Sequence, residues 1–295
     1  MTAPPTSSAT PRICCIGDLV TDVVVHLGSD PKRGTDTPAT ISSHRGGSAA
    51  NVAAAVSAAG GIARFAGCVG TDSPGDALVA NLEANHVESM VQRTGTTGTI
   101  VVLVDGDGER SFLSDRGAAT ELASVPSDFL DGVDLLHIPA YSFIDGPLAE
   151  TSEHVVGIAV DAGVPISIST SSVAALAQYG REEFRELLSA IRPAYVIANH
   201  DEFTYLMQGQ PWVRGAGATV ITNGPRAAVV RQTNGTEVRS TPAASSATDT
   251  TGAGDAFTAG FLVARAKGQD FASALAFGHA VAAKALSARG AELAS

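Results

Sequence analysis

The chain has 295 residues, 44% hydrophobic and 17% charged, a balance typical of a folded globular protein and not of a disordered one. Its formal net charge of −11 argues against a broad basic surface, so we expect neither nucleic acid nor membrane as a partner. No apolar stretch reaches the roughly 18 residues that a membrane span needs, and residues 1–11 lack the apolar core of a secretory signal. We therefore predict a disordered tail over 1–11, a folded domain over 12–295 and a cytoplasmic location.

Short apolar runs that end in turn-forming residues predict interior strands of a parallel sheet. In chain order these runs are RICCIG, IARFAGCVG, VDLLHIPA, VPISIST, AYVIAN and ATVITNG. Helical patterns lie between them, in SAANVAAAVSAAG, GDALVANLEANHV, GPLAETSEHVVGIAVDAG and REEFRELLSAIR. This alternation predicts an α/β fold in which helices cover both faces of a doubly wound, mostly parallel sheet.

Two regions interrupt the alternation, at about 19–45 and 93–117. The first is extended and rich in turn residues, and the second contains two alternating runs around DGDG at 105–108. Asp105 belongs to a small acidic cluster, but the other ligands of a calcium loop are missing, so the DG pairs favour a hairpin turn. We interpret both regions as antiparallel strands that form a small lid outside the main sheet.

The three cysteines, Cys14, Cys15 and Cys68, all lie in apolar runs that are predicted to be strands. None has a partner at a spacing that suits a metal site, and the adjacent Cys14 and Cys15 would point to opposite faces of a strand. We predict three buried free thiols.

The segment DTTGAGDAF, at 249–257, precedes an apolar helical pattern. The amides of Gly252, Ala253 and Gly254 would be unpaired donors in the first turn of that helix, where the helix dipole and small side chains favour a phosphate. Asp255 would lie beside this anion, where a carboxylate suits the removal of a proton from an attacking hydroxyl. A tight turn with an aspartate near a helix N-terminus explains the segment equally well when it is taken alone.

Two motifs together carry a resemblance to the ribokinase-like (PfkB) carbohydrate kinases. DTTGAGD at 249–255 resembles the C-terminal signature of that family, and GGSAAN at 46–51, followed by GCVGTDSPG at 67–75, resembles the N-terminal one. The likeness extends from Arg12 to about Ala291. It implies a three-layer α/β/α domain with a small β-sheet lid, and a kinase that uses ATP and Mg²⁺ to phosphorylate an alcohol.

The resemblance also implies the role of individual residues. Asp255 would be the catalytic base, and the amides of Gly252, Ala253 and Gly254 would form the anion hole. Four residues would bind the acceptor: Asp22, Gly46, Gly47 and Asn51. The nucleotide would be bound by Asn199, Thr222, Gly224 and His279. Glu202 would act on Mg²⁺ through water, and Asp249 matches a position that helps to hold a monovalent cation in potassium-activated members.

Several of these residues have a purely structural alternative. Gly46 and Gly47 would also suit a bend before a helix, and Asn199 with Glu202 would also suit a helix cap. Asp22 could be a solvated strand residue. His279, where relatives often carry asparagine near the adenine, could be a packing or surface residue.

The acceptor is predicted to be a sugar, because aromatic residues make up only 5% of the chain and the lid offers mainly Phe112 for stacking on a base. GGSAAN lacks the lysine that ribokinases often have after the glycines, which weakens a specific assignment as ribokinase. A nucleoside kinase and a non-catalytic sugar or nucleotide sensor remain alternatives. We also expect a homodimer through the lid strand TIVVLVDG, which could instead cover the sugar, and lid closure hinged near Gly46 and Gly117.

Overall fold

The computed structural model describes residues 10–106, 109–243 and 252–293, with side chains as far as Ser287. Its strands are β1 (Arg12–Ile16), β2 (Val20–Leu27), β3 (Ala39–Gly46), β4 (Ile62–Val69), β5 (Val87–Arg93), β6 (Thr97–Val104), β7 (Arg110–Gly117), β8 (Leu135–Pro139), β9 (Ile166–Ser169), β10 (Tyr195–Asn199), β11 (Ala218–Thr222), β12 (Ala228–Gln232) and β13 (Glu237–Ser240). Its α-helices are α1 (Ser48–Ala58), α2 (Ser73–Ala84), α3 (Gly146–Asp161), α4 (Val173–Tyr179), α5 (Arg181–Ile191), α6 (His200–Met207), α7 (Ala253–Ala266) and α8 (Phe271–Leu293).

The larger sheet has nine strands in the order β13-β12-β11-β10-β9-β8-β1-β4-β5. Every neighbouring pair from β11 to β5 is parallel, and β12 and β13 add an antiparallel edge. All six strands that the apolar runs predict lie in the parallel part. The predicted α/β class is therefore confirmed, while β5 and α4 were not predicted.

Helices cover both faces of this sheet. Successive strand residues point to opposite sides, so an apolar strand presents an apolar surface to a layer of helices on each side. On one side, Ile13 and Cys15 belong to a core with residues of α1, α2, α7 and α8. On the other side, Cys14 and Ile16 pack with residues of α3, α4, α5 and α6. All three cysteines are buried and free, as predicted, and burial raises the pKa of the Cys14 thiol to about 12. The result is three layers.

The smaller sheet has the strand order β3-β2-β6-β7 and comes from the two segments that interrupt the α/β alternation. β2 pairs with β3 in antiparallel and with β6 in parallel orientation, and β6 and β7 form an antiparallel hairpin. Hydrogen bonds between Asp105 and Glu109 close this hairpin, which confirms the predicted turn, although 107–108 lie outside the described residues. Within the described ranges, no helix is long and apolar enough to cross a bilayer.

Candidate active site

The start of α7 has the geometry of an anion-binding site. Gly252 adopts the left-handed conformation (φ 76°) that glycine favours, and its carbonyl accepts the first helical hydrogen bond from the Ala256 amide at 2.9 Å. No side chain among the described residues caps the helix. A Cβ on Gly254 would meet nothing within 4 Å, and this residue is exposed. The first-turn amides therefore have room to approach a phosphate.

Asp255, in this same turn, is held by the start of α1. Ser48 Oγ donates a hydrogen bond to Oδ1 at 2.7 Å, and Asn51 Nδ2 donates one to Oδ2 at 3.2 Å. A carboxylate oxygen can accept two hydrogen bonds, so the contacts with Ser48 and Asn51 do not by themselves use the acceptor capacity of Asp255. Ser48 was not among the predicted site residues. In the sequence it stood out only as the residue that follows the glycines of GGSAAN, where ribokinases often have a lysine.

The predicted acceptor-binding residues lie in one continuous group. A Cβ on Gly46 would lie 2.0 Å from Asp22 Oδ1, so the Asp22 carboxylate rests directly on the Gly46 backbone. Gly47 has φ 93°, and its Cβ would lie 2.1 Å from the Asp18 carbonyl oxygen, so only glycine fits there. The Gly47 carbonyl accepts a hydrogen bond from the backbone amide of Asn51 at 2.9 Å. Because the side chain of Asn51 donates to Asp255, this contact joins the group to Asp255.

An ion pair that the sequence did not reveal connects the end of β7 to the first loop of the main sheet. Arg116 donates to both oxygens of Asp18, from Nε at 2.9 Å and from Nη2 at 2.7 Å, and also to the Tyr141 carbonyl at 3.0 Å. Burial alone would lower the pKa of Arg116, but the hydrogen bonds and charge of Asp18 raise it. This pair fixes the lid next to Gly117, where the hinge was predicted.

Asn199 and Glu202 form a reciprocal cap at the start of α6. The backbone amide of Glu202 donates to Asn199 Oδ1 at 2.9 Å, and the backbone amide of Asn199 donates to Glu202 Oε2 at 2.9 Å. Asn199 Nδ2 and Thr170 Oγ1 also donate to the Glu202 carboxylate, and Glu202 as a whole is only 7% exposed. The helix cap that the sequence suggested as an alternative is therefore present. The Glu202 carboxylate can still accept one more hydrogen bond, for example from a water.

The other predicted nucleotide residues lie along the same edge of the sheet. Thr222 pairs with Asn199 across β11 and β10, and Gly224 follows in an exposed turn with φ 53°. His279 lies further along, where its Nε2 is 3.0 Å from the Ser240 carbonyl oxygen of β13 and its ring is 5.1 Å from that of Phe257. Burial lowers the pKa of His279.

The sequence predicted two ion sites, a monovalent-cation site at Asp249 and a Mg²⁺ site at Glu202. Asp249, the predicted monovalent-cation residue, lies outside the described residues. Among the residues that are described, no group of three or more His, Cys, Asp or Glu side chains is arranged to hold a metal. Mg²⁺ in phosphoryl-transfer sites commonly takes one or two carboxylates and completes its shell with water and phosphate oxygens, so Glu202 fits a water-mediated role.

Amide donors at a helix start, next to a carboxylate held by two hydrogen bonds, fit the transfer of a phosphoryl group to a hydroxyl. The fold and site define a phosphotransferase with an alcohol acceptor. The family model described as "pfkB family carbohydrate kinase" matches residues 10–295, and the chain belongs to this family. It is therefore a carbohydrate kinase of the PfkB family.

Individual proteins agree with this assignment. The chain is 28% identical to the ribokinase of Bacillus subtilis over 298 residues, covering 95% of this chain and 94% of that protein. It is also 28% identical to probable fructokinase-7 of Arabidopsis thaliana, covering 85% and 77%. The adenosine kinase structure from Sinorhizobium meliloti matches with a TM-score of 0.82 at 24% identity, covering 96% of this chain and all of that one. This structural likeness shows the fold.

Proposed function

We propose that the protein is an ATP-dependent kinase that transfers the γ-phosphoryl group to a sugar hydroxyl, with Asp255 as the base. The observation that carries this proposal is the position of Asp255, which Ser48 and Asn51 hold beside the open amides of α7. A carboxylate repels a neighbouring phosphate, so it has no advantage in a site that only binds nucleotide. It is an advantage where a hydroxyl must lose its proton.

In this mechanism the N-terminal half holds the acceptor. Asp22 accepts hydrogen bonds from acceptor hydroxyls, and Gly46 and Gly47 line the same pocket, where their missing side chains leave room for the Asp22 carboxylate and the Asp18 carbonyl. Asn51 uses one amide hydrogen on Asp255 and has a second for the acceptor. As the acceptor oxygen forms its bond to the γ-phosphorus, Asp255 takes the hydroxyl proton, the bond to the β-phosphate oxygen breaks, and ADP leaves with the electron pair. The amides at 252–254 stabilise the charge on the transferring group.

The nucleotide side is assigned to the edge that carries Asn199, Thr222 and Gly224, with His279 on the adenine side. Two similar structures support ATP and Mg²⁺ as the ligands of this kinase, because a Xylella fastidiosa fructokinase contains ATP and a putative ribokinase II from E. coli contains ATP and Mg²⁺. Bound Mg²⁺ would neutralise charge on the nucleotide phosphates. Glu202 would orient one of its waters, since the cap leaves that carboxylate with remaining acceptor capacity.

A sugar fits the lid better than a nucleoside, because the lid strands offer little aromatic surface for stacking on a base. Phe112 is the one Phe, Tyr or Trp residue in the four lid strands, and it is 60% exposed. It lies on the same face of the lid as Asp22, because Phe112 pairs with Val102, Val102 pairs with Val24, and Val24 lies two residues after Asp22 on β2. This position, together with the likeness to an adenosine kinase, makes a nucleoside the second candidate acceptor.

The proposal is tested by Asp255→Asn in an assay of ADP release with pentoses, hexoses, ketohexose phosphates and nucleosides. We expect the variant to keep its melting temperature and to lose at least about 10²-fold in kcat. Asp76→Asn is the matched control, since Asp76 also lies in the first turn of a helix but is exposed on the surface. Near-normal turnover of Asp255→Asn would exclude it as the base. Wild-type protein that shows ligand-induced thermal shifts without turnover would support a sensor.

The homodimer proposal rests on the lid face opposite Asp22. Strand register brings six apolar side chains together on that face: Val23, Val25, Ile41, Val101, Leu103 and Leu113. Ile41 and Leu113 are 64% and 58% exposed, and exposed apolar faces of this kind favour association. Sedimentation velocity should show a dimer that Ile41→Glu converts to monomer, whereas Ser114→Glu on the opposite face leaves it dimeric. A monomeric wild-type protein would contradict this proposal.

A further inference from the structure

Arg45 contacts Asn51, a residue of the proposed acceptor site, from the face of the lid sheet opposite Asp22. It lies in β3 opposite Thr21, whereas Asp22 is paired with His44, so Arg45 and Asp22 point to opposite faces of the lid sheet. Arg45 Nε donates to Asn51 Oδ1 at 3.3 Å, and Nη1 donates to Asn81 Oδ1. The planar guanidinium therefore bridges α1 and α2.

The Asn51 amide is held at both ends. Its Oδ1 accepts from Arg45, and its Nδ2 donates to Asp255 Oδ2 at 3.2 Å. The two ends of a primary amide are nearly equal in size but opposite in polarity, so a rotation by 180° would turn an oxygen toward the carboxylate and replace attraction by repulsion. A fixed donor on the oxygen end prevents that rotation and also aims the second amide hydrogen.

We propose that Arg45 is a positioning residue for phosphoryl transfer, acting through Asn51 to orient Asp255 and the acceptor. This inference rests on the proposed role of Asp255 as base. The geometry needs a guanidinium, because its planar fork offers two donors at a fixed angle, whereas a lysine ammonium is a point charge on a flexible chain. Charge near the site is not sufficient in this role; the direction of the Nε–H bond is what matters.

Arg45 is also a practical position for substitution. Its side chain is half-buried and lines a cleft of about 810 Å³ together with Asn51, Asn81 and Lys284. Truncation to alanine therefore enlarges an open cleft and does not create a sealed void in the core, which is the costly case. We expect Arg45→Ala to fold, with a melting temperature close to that of the wild type.

The test is a double-mutant cycle with Arg45→Ala, Asn51→Ala and the combined variant. We expect Arg45→Ala to lower kcat about tenfold and to leave the KM for ATP within about twofold, because the nucleotide side is untouched. In the Asn51→Ala background the same substitution should change kcat by less than about twofold, since the connection to Asp255 is already broken. Equal losses in both backgrounds, or no loss in the wild type, would overturn the proposal.

Arg45→Lys is an independent measurement, and it decides the question if turnover of Asn51→Ala falls below detection. It keeps the positive charge but loses the fork, so we expect it to behave like Arg45→Ala. Full activity of Arg45→Lys would contradict the proposal. Arg93→Ala, which removes an exposed ion pair with Asp76, is the matched control with unchanged kcat.

The failure of this proposal can be told apart from failure of the proposed function. If Asp255→Asn keeps its turnover, the base is wrongly assigned and the positioning role fails with it. If Asp255→Asn loses turnover while Arg45→Ala does not, Asp255 remains the base and only the role of Arg45 is wrong.

Discussion

Gly46→Ala tests the role of Asp22 with a single methyl group. The added Cβ would lie 2.0 Å from Asp22 Oδ1. Real Cβ atoms essentially never come within 3.0 Å of a heavy atom outside their own and adjacent residues, so the carboxylate must move by at least 1.0 Å. Gly46 is not among the residues with positive φ, so alanine is compatible with the backbone. A displacement of about 1 Å in a group that positions substrate costs on the order of 10²-fold in rate.

We therefore expect kcat/KM for the acceptor to fall about 100-fold in Gly46→Ala, while the KM for ATP stays within about twofold. The stability change should be small, because the displaced atoms belong to the end of a side chain and not to the backbone. The measurement is steady-state ADP release with each substrate varied in turn, accompanied by a thermal melt.

Gly28→Ala is the matched control, because it lies directly after β2 in the same lid and its Cβ would meet nothing within 4 Å. Its kinetics should equal those of the wild type. If Gly46→Ala also kept acceptor kcat/KM near the wild-type value, Asp22 would not be a residue that positions the acceptor.

Three further predictions concern other parts of the molecule. Glu202→Gln should raise the Mg²⁺ concentration for half-maximal turnover, and an unchanged Mg²⁺ dependence would limit Glu202 to its capping role. Arg116→Ala leaves the half-buried Asp18 carboxylate unpaired and should cost about 3 kcal/mol in urea unfolding, against less than about 1 kcal/mol for exposed Arg93→Ala; equal losses would contradict this. Burial lowers the pKa of His137 from 6.5 to about 3, so the unfolded chain binds a proton that the folded protein excludes, and the free energy of unfolding falls as pH drops through this range. His137→Leu should flatten that pH dependence, and an unchanged slope in urea melts would refute it.

The sheet was predictable because its interior strands are apolar on both sides. The runs at β1, β4, β8, β9, β10 and β11 are bounded by turn residues and separated by helices, which is sufficient for a parallel α/β arrangement. β5 has the sequence VESMVQR and only one buried residue, since it forms the edge of the sheet, so its pattern did not stand out. α4 has seven residues, which is too short for a clear helical period.

The site was predictable where local backbone chemistry determines it. Glycines before an apolar helix indicate an anion site, and α7 begins at Ala253 as that argument requires. The partners of Asp255 were not predictable, because Ser48 lies 207 residues away and an isolated serine has many roles. The Arg116–Asp18 pair spans 98 residues and carries no motif. Asn199 and Glu202 allowed two interpretations, since a helix cap and a magnesium site use the same residue types.

The distance along the chain between Ser48 and Asp255 has a consequence for biosynthesis. A ribosome adding about 5 to 20 residues per second needs roughly 10 to 40 seconds to travel the 207 residues between them. During that interval the nascent polypeptide has the acceptor-side half of the proposed machinery without its base. Phosphorylating ability should thus arise late in translation, when α7 docks against α1, and a ribosome stalled before codon 255 should display an inactive polypeptide.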